Sequence, residues 1–383
     1  MTSLDDFAKT KLAGLEVRHL RRELSTTERE DGLWVTRGSK RLLSFSCNDY
    51  LNLTHHPSVK EAAIAAIARY GAGAGASRLV TGNHPPNEAL EARLARLKGA
   101  QAACLFGSGY LANAGIIPVL AGKDDLVLVD ALSHACIWAG AQLSSARVET
   151  FRHNDMAHLE ELLKTHRSTH TSALIVTDGV FSMDGDLAPL EALGDLAVRH
   201  DAWLMTDDAH GLGVLNDGRG SAFANGVKAR VDIQMGTLSK ALGSYGGYVC
   251  ASKVVIDLIR TRARTLIYST GLPPASVAAA IAALDIIEND PALTRRPTQK
   301  AQSFTRALNL PLAQSPIVPI LLGDPVAALD ASKLLEDEGF LVIAIRPPTV
   351  PEGTARLRLA FTAGHPDDEI ARLAKIIRER ILP

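Results

Sequence analysis

The strongest constraint on this 383-residue chain is an alternation that runs from about residue 50 to residue 290. Short apolar runs, each the length of one strand, recur at 102–106, 126–130, 173–177, 203–206, 233–236 and 248–251. Segments with helical spacing lie between several of them, at 87–98, 158–165 and 189–200. A strand covered by helices on both faces reads as a nearly unbroken apolar run, so the pattern predicts an α/β domain with a largely parallel sheet. We assign it to residues 46–288, closing on a long helix over 276–288. The last part, 289–383, shows strand patterns at 317–322, 341–345 and 356–361 and helices at 325–338 and 367–380, a smaller α+β domain. Residues 1–45 read as an N-terminal helix followed by short strands near 33–35 and 42–45.

Composition removes several classes of function. A formal net charge of -1 offers no basic stripe of the kind that displaces counterions from nucleic acid. Cys47, Cys104, Cys136 and Cys250 form no C-x-x-C pair, so neither a disulfide framework nor a metal site is expected. The longest apolar stretch, 275–287, has 13 residues, whereas a bilayer span needs about 20. The amphipathic, charged N-terminus lacks the apolar core of a secretory signal. The expectation is a soluble cytoplasmic protein without a membrane or nucleic-acid partner.

Polar residues collect where predicted strands end, which is where open α/β sheets bind ligands. Trp203-Leu-Met-Thr-Asp-Asp-Ala-His210 places two carboxylates and a histidine after one strand, with Asp207 as the first residue past it. Ile233-Gln-Met-Gly-Thr-Leu-Ser-Lys240 places two hydroxyls and a lysine after the next. Leu105-Phe-Gly-Ser-Gly-Tyr110 ends an earlier strand in a glycine-rich turn before a helix, a ready phosphate cradle. Pyridoxal phosphate needs all three: a lysine for a Schiff base, an acid beside its ring nitrogen and an anion site. Asp207 is our candidate for the acid. Each feature alone has a plainer reading. Asp-Asp-Ala-His suits a metal or a helix cap, Lys240 a surface lysine, and Thr237 and Ser239 a helix cap. Their order and common placement argue for the joint reading. The Gly71-Ala-Gly-Ala-Gly75 run follows a helical pattern and not a strand, so it fails as a dinucleotide fingerprint and reads as a glycine-rich loop near the site.

These residues sit within longer motifs. Phe45-Ser-Cys-Asn-Asp-Tyr-Leu51, Ser108-Gly-Tyr110, Leu132-Ser-His-Ala135, Gly179-Val-Phe-Ser-Met-Asp-Gly-Asp186, Asp207-Asp-Ala-His-Gly211, Thr237-Leu-Ser-Lys240 and Ile345-Arg-Pro-Pro-Thr-Val-Pro351 together resemble the α-oxoamine synthases. The resemblance covers essentially the whole chain. It implies the aspartate-aminotransferase-like fold, type I, with a three-layer large domain and a smaller α+β C-terminal domain. It also implies roles: Lys240 for the covalent cofactor link, Asp207 at the pyridine nitrogen, and His210 and Ser182 at the ring oxygen. His134 would stack on the ring, and Gly109, Tyr110 and Thr237 would hold the phosphate. Arg358 would grip the amino-acid carboxylate, with Arg21, Asn48 and Thr349 contacting substrate. The final motif, continuing through Gly353-Thr-Ala-Arg-Leu-Arg358, favours the branch that condenses L-alanine with a pimeloyl thioester, carried by coenzyme A or a carrier protein, for biotin biosynthesis. A sibling such as glycine C-acetyltransferase shares the same lysine, aspartate and histidine. The family places its site at a homodimer interface, where Ser269 and Thr270 would reach the partner's cofactor. Cys47 and Asn87 stand where serine and histidine are usual.

Four alternatives concern side chains read without the family: His134 suits a satisfied core histidine, and Ser182 precedes Met183-Asp-Gly, a turn. Arg21 lies in a basic helical stretch, where a solvated face is the default. Arg358 alternates with Arg356 in a strand, which leaves one of them free to face solvent. No role is assigned to His55, His56, His153 or His200.

Overall fold

The computed structural model describes residues 3–224 and 227–382. Seven strands make the central sheet, in the order Ala102–Phe106, Gly247–Ala251, Ile233–Thr237, Trp203–Asp207, Ala173–Asp178, Leu126–Asp130, Arg147–Phe151. From Ile233–Thr237 to Arg147–Phe151 every pairing is parallel. Gly247–Ala251 runs antiparallel to both its neighbours. All the other strands therefore point the same way, and their C-terminal ends share one edge of the sheet.

Strand side chains alternate between faces, and each face is covered. Leu105 and Cys250 pack with Leu90 and Leu94 of the helix Pro85–Leu97 and with Ala283 and Leu284 of Pro274–Asn289. Cys104, Phe106 and Val249 face the other way, against Ile116 of Gly109–Leu120 and Ile259 of Lys253–Arg262. Each fully buried aliphatic or aromatic side chain contributes roughly 1.5–3 kcal/mol. This double cover makes the three layers and explains the unbroken apolar runs. Arg147–Phe151, at one edge of the sheet, escaped the sequence reading for the same reason in reverse. Only Phe151 of its five residues is buried, so no apolar run marks it.

The two chain-terminal pieces pack together. Phe340–Leu341 pairs in parallel with Lys40–Ser44, and Leu43 and Phe45 share a core with Phe304, Phe340 and Phe361. Ile343–Ile345, Ala355–Ala360 and Ile317–Gly323 form a separate antiparallel sheet. The single strand expected over 341–345 is thus two short ones that serve different sheets. Among the described residues, no helix is long and apolar enough to cross a membrane.

Candidate active site

Loops leaving the shared edge bring His134, Ser182, His210 and Lys240 around a cavity of about 260 Å³, which Asn48 of the N-terminal segment and Arg358 of the strand Ala355–Ala360 complete. Lys240 lies three residues beyond the strand Ile233–Thr237, and its Nζ is 2.7 Å from His210 Nε2. The opposite ring nitrogen, Nδ1, is 2.7 Å from Tyr50 Oη, and Tyr50 Oη lies 3.3 Å from Asn48 Oδ1. One assignment satisfies the whole chain: Lys240 donates to His210, His210 to Tyr50, and Tyr50 to Asn48. Asn48 Oδ1 also accepts from Arg358 Nη1 at 3.2 Å. Burial holds His210 well below the ordinary imidazole range, helped by the charges of Lys240 and Arg358, so the ring is neutral. Burial likewise lowers Lys240 to about 8, against the opposing pull of Asp207. Its amine opens onto the cavity.

Asp207 is the last residue of its strand, one position earlier than expected, and is 4% exposed. Its Oδ2 accepts from Asn113 Nδ2 at 2.7 Å and its Oδ1 from the Ala209 N–H at 2.9 Å. Cys136 Sγ lies 3.0 Å from Asn113 Nδ2 and 2.8 Å from His134 Nδ1. His134 caps the helix Ala135–Leu143, its ring faces the cavity, and desolvation lowers its pKa. Its N–H donates to Asp178 Oδ2 at 2.9 Å. Burial and the facing Asp207 push the Asp178 carboxyl well above its usual range. Two N–H groups are aimed at the Asp207 carboxylate and one at that of Asp178.

At the other end of the site, Ser108 caps the helix Gly109–Leu120 by accepting from the Leu111 N–H. The first N–H groups of a helix have no intrahelical acceptor, so those of Gly109 and Tyr110 are free to bind an anion. A Cβ at Gly109 would sit 3.2 Å from Met235 Cε and 3.7 Å from Thr237 Oγ1. The glycine therefore leaves open a small cradle beside the Thr237 hydroxyl. A lysine amine, a hydrogen-bonded carboxylate and this cradle are the donor set pyridoxal phosphate needs.

Arg358 is 7% exposed and its Nε donates to the Ser182 carbonyl at 2.5 Å. Arg356 is 3% exposed and pairs with Asp184, so neither faces solvent. Residues two apart in a strand share a face, and this face is covered by the Ser182 loop. Thr349 lines a groove of about 690 Å³ that adjoins the cavity at His134 and Ser182. Arg21 is not brought there. The first helix ends at Glu16, and Arg21 pairs back to Glu16 at the surface. Its neighbour Arg22 reaches the groove instead, with Nη2 2.8 Å from Thr349 Oγ1. Tyr110 is 52% exposed. Ser269 and Thr270 lie away from this chain's cavity, Thr270 bridging to Ser77. The glycine run 71–75 packs toward that same segment, with Gly271 against Ala74, and does not line the cavity. Asn87 is buried in the first turn of its helix, away from the cavity.

Sequence reasoning passed over Tyr50, Asn113, Cys136, Asp178 and Arg22. Two signals were available. Asn113 is the one amide in the apolar stretch 111–120, and Asp178 ends a strand whose other residues are apolar or hydroxylated. Tyr50 and Cys136 carry no such mark, because a tyrosine or cysteine in an apolar setting reads as core.

Fold and site together define a fold type I pyridoxal-phosphate enzyme. The chain belongs to the aminotransferase class I and II family, whose model matches residues 40–377. It is 63% identical over 377 residues to the 8-amino-7-oxononanoate synthase of Beijerinckia indica, covering 98% of each chain. Among solved structures, a serine palmitoyltransferase (SPT) with PLP is 29% identical, with TM-score 0.91 and 98% of each chain covered. The 8-amino-7-oxononanoate synthase of Francisella tularensis is 28% identical, with TM-score 0.75 over 89% of this chain and 98% of that one. Pyridoxal phosphate is accordingly the cofactor.

Proposed function

We infer that the chain makes 8-amino-7-oxononanoate for biotin biosynthesis, the product its relatives are named for. L-alanine and a pimeloyl thioester are the substrates, and carbon dioxide and the free thiol carrier are released. The observation that carries this reading is one cavity shared by Lys240, His134, His210 and Arg358, at the ends of strands that also present Asp207. Lys240 would hold pyridoxal phosphate covalently, with Gly109, Tyr110 and Thr237 at its phosphate, Asp207 at its ring nitrogen, and His210 and Ser182 at its ring oxygen. When bound, the cofactor supplies an electron sink for the charge left on the amino-acid Cα.

The chain's own groups do the rest. Arg358 receives the alanine carboxylate in a planar, charge-assisted pair, which orients the Cα–H bond. The Lys240 amine, lowered to about 8 by burial, is poised to take the Cα proton near neutral pH and return it later. Asp207 keeps a proton on the nitrogen it faces, and His134 covers the opposite wall. Asn48 fixes Arg358, while Thr349 and Arg21, the latter after rearrangement of the segment beyond Glu16, contact the acyl donor in the adjoining groove. The enzyme works in the cytoplasm as a homodimer. Exposed Leu79, Val80, Tyr110, Tyr245 and Tyr268 provide apolar surface for a second copy.

The deciding experiment is a substrate panel on the cofactor-loaded protein. Alanine with pimeloyl-CoA should outperform glycine with acetyl-CoA, with one carbon dioxide released per thiol. The reverse ranking would make it a glycine C-acetyltransferase. Sedimentation at the dimer mass tests the assembly.

A further inference from the structure

His153 follows the edge strand Arg147–Phe151 and has no part in the chemistry above. Its ring lies between two carboxylates. Nδ1 is 3.0 Å from Asp130 Oδ1 and Nε2 is 2.8 Å from Asp186 Oδ2. A neutral imidazole has one donor and one acceptor, so only the doubly protonated ring satisfies both partners. Asp130 is fully buried, and the His153 side chain is 26% exposed. The edge of the ring system is fixed by Phe181, whose centroid is 4.3 Å away with the planes at 90°.

The two carboxylates belong to the two loops that wall the cavity. Asp130 ends the strand before His134 and organises that turn, accepting from the Leu132 N–H at 2.8 Å through Oδ1 and from the Asn154 N–H at 2.9 Å through Oδ2. Asp186 closes the loop that carries Ser182, where the Phe181 N–H donates to the Asp186 carbonyl at 3.0 Å. Asn154 reinforces the same tie, donating from Nδ2 to Asp186 Oδ2 at 3.1 Å and to the Leu187 carbonyl at 3.2 Å. Within that loop the Ser182 carbonyl holds Arg358 Nε. A path thus runs from the turn of His134 through two charge-assisted bonds of His153 to Asp186, on through the backbone bond that closes the Ser182 loop, and to the guanidinium expected to receive the amino acid.

We propose that His153 is a positioning residue: a fixed imidazolium strut that ties the Ser182 loop to the His134 loop and thereby sets Arg358 for the amino-acid carboxylate. The inference rests on the reading of Arg358 as the carboxylate receptor. The strut touches neither substrate nor cofactor, so its loss acts on binding geometry and not on proton transfer. The two carboxylates hold His153 protonated up to about 10 in spite of its partial burial, which keeps the strut in place across the working pH range.

The test uses cofactor-loaded wild type, His153→Gln and Asp186→Asn, with L-alanine binding followed through the cofactor absorption, KM and kcat measured separately, and Tm recorded. His153→Gln should weaken alanine binding about tenfold, the scale of a small misplacement of a binding group. Asp186→Asn, which removes one anion and leaves the other, should fall between it and wild type, and kcat at saturating alanine should change less than KM in both. Should His153→Gln not fold, Asp186→Asn decides alone. Variants that bind alanine as wild type does, with only a lowered Tm, would show a purely structural tie and overturn the proposal. Failure of the functional reading is separately visible, because wild type itself would then prefer another amino acid, and the same comparison would be made with that one.

Discussion

Two histidines, each bonded through both ring nitrogens, take different charge states in this molecule. His210 sits between a tyrosine hydroxyl and a lysine amine, and burial with neighbouring cations keeps it neutral. His153 sits between two carboxylates and stays protonated to about 10. Burial pushes both in the same direction, so the partners decide the outcome. The neutral ring can relay a hydrogen bond along Lys240, His210, Tyr50 and Asn48. The charged ring can only donate, which suits a strut.

The largest break in this comparison is Lys240→Ala. It removes the amine that His210 accepts from, and turnover should fall by roughly 10³-fold or more together with loss of the covalent cofactor absorption. A variant that keeps both would refute the assignment of Lys240. Asp207→Asn preserves shape and removes the charge; kcat should drop by about 10²-fold, with the far-ultraviolet circular dichroism unchanged. Tyr50→Phe leaves the Nδ1–H of His210 unpaired in a buried site, at a cost of about 1–3 kcal/mol in denaturant unfolding. If stability is unchanged, the hydrogen-bond chain is not as assigned.

The smallest effect is the sharpest. His153 is raised from 6.5 to about 10, so its contribution is fully present below pH 6.5 and is lost as pH rises through 10. Lys240 is lowered from 10.5 to about 8, so the unfolded chain binds its proton more readily in that interval, and stability rises from pH 8 to 10.5. In the cofactor-free protein the two slopes oppose each other between pH 8 and 10. Wild type should exceed His153→Gln in Tm by a margin that narrows over that range. Lys240→Ala should lose Tm with rising pH more steeply than wild type. Parallel curves for all three proteins would contradict both assignments.

Much of this was legible in the chain. The runs at 102–106 and 126–130 match the observed strands residue for residue, because a strand buried on both faces is apolar along nearly its whole length. Lys240, Asp207 and His210 were legible because polar residues directly after such strands have few structural reasons to be there. Arg147–Phe151 was not, since only one of its five residues is buried, unlike 102–106 at the opposite edge of the sheet. The position of Arg21 was not legible either: the helix stops at Glu16, Arg21 pairs back to it at the surface, and the chain turns so that Arg22 meets Thr349.

The sequence by itself determined the three-layer sheet, the strand-end chemistry and the cofactor class, because period and punctuation are local properties. Only the tertiary structure decided the charges of His210 and His153, the pairing of Asn113 with Asp207, the common burial of Arg356 and Arg358, and the union of the two chain ends in one core. Those depend on which groups meet across dozens or hundreds of residues, and a pKa or a hydrogen-bond chain has no value until its partners are in place.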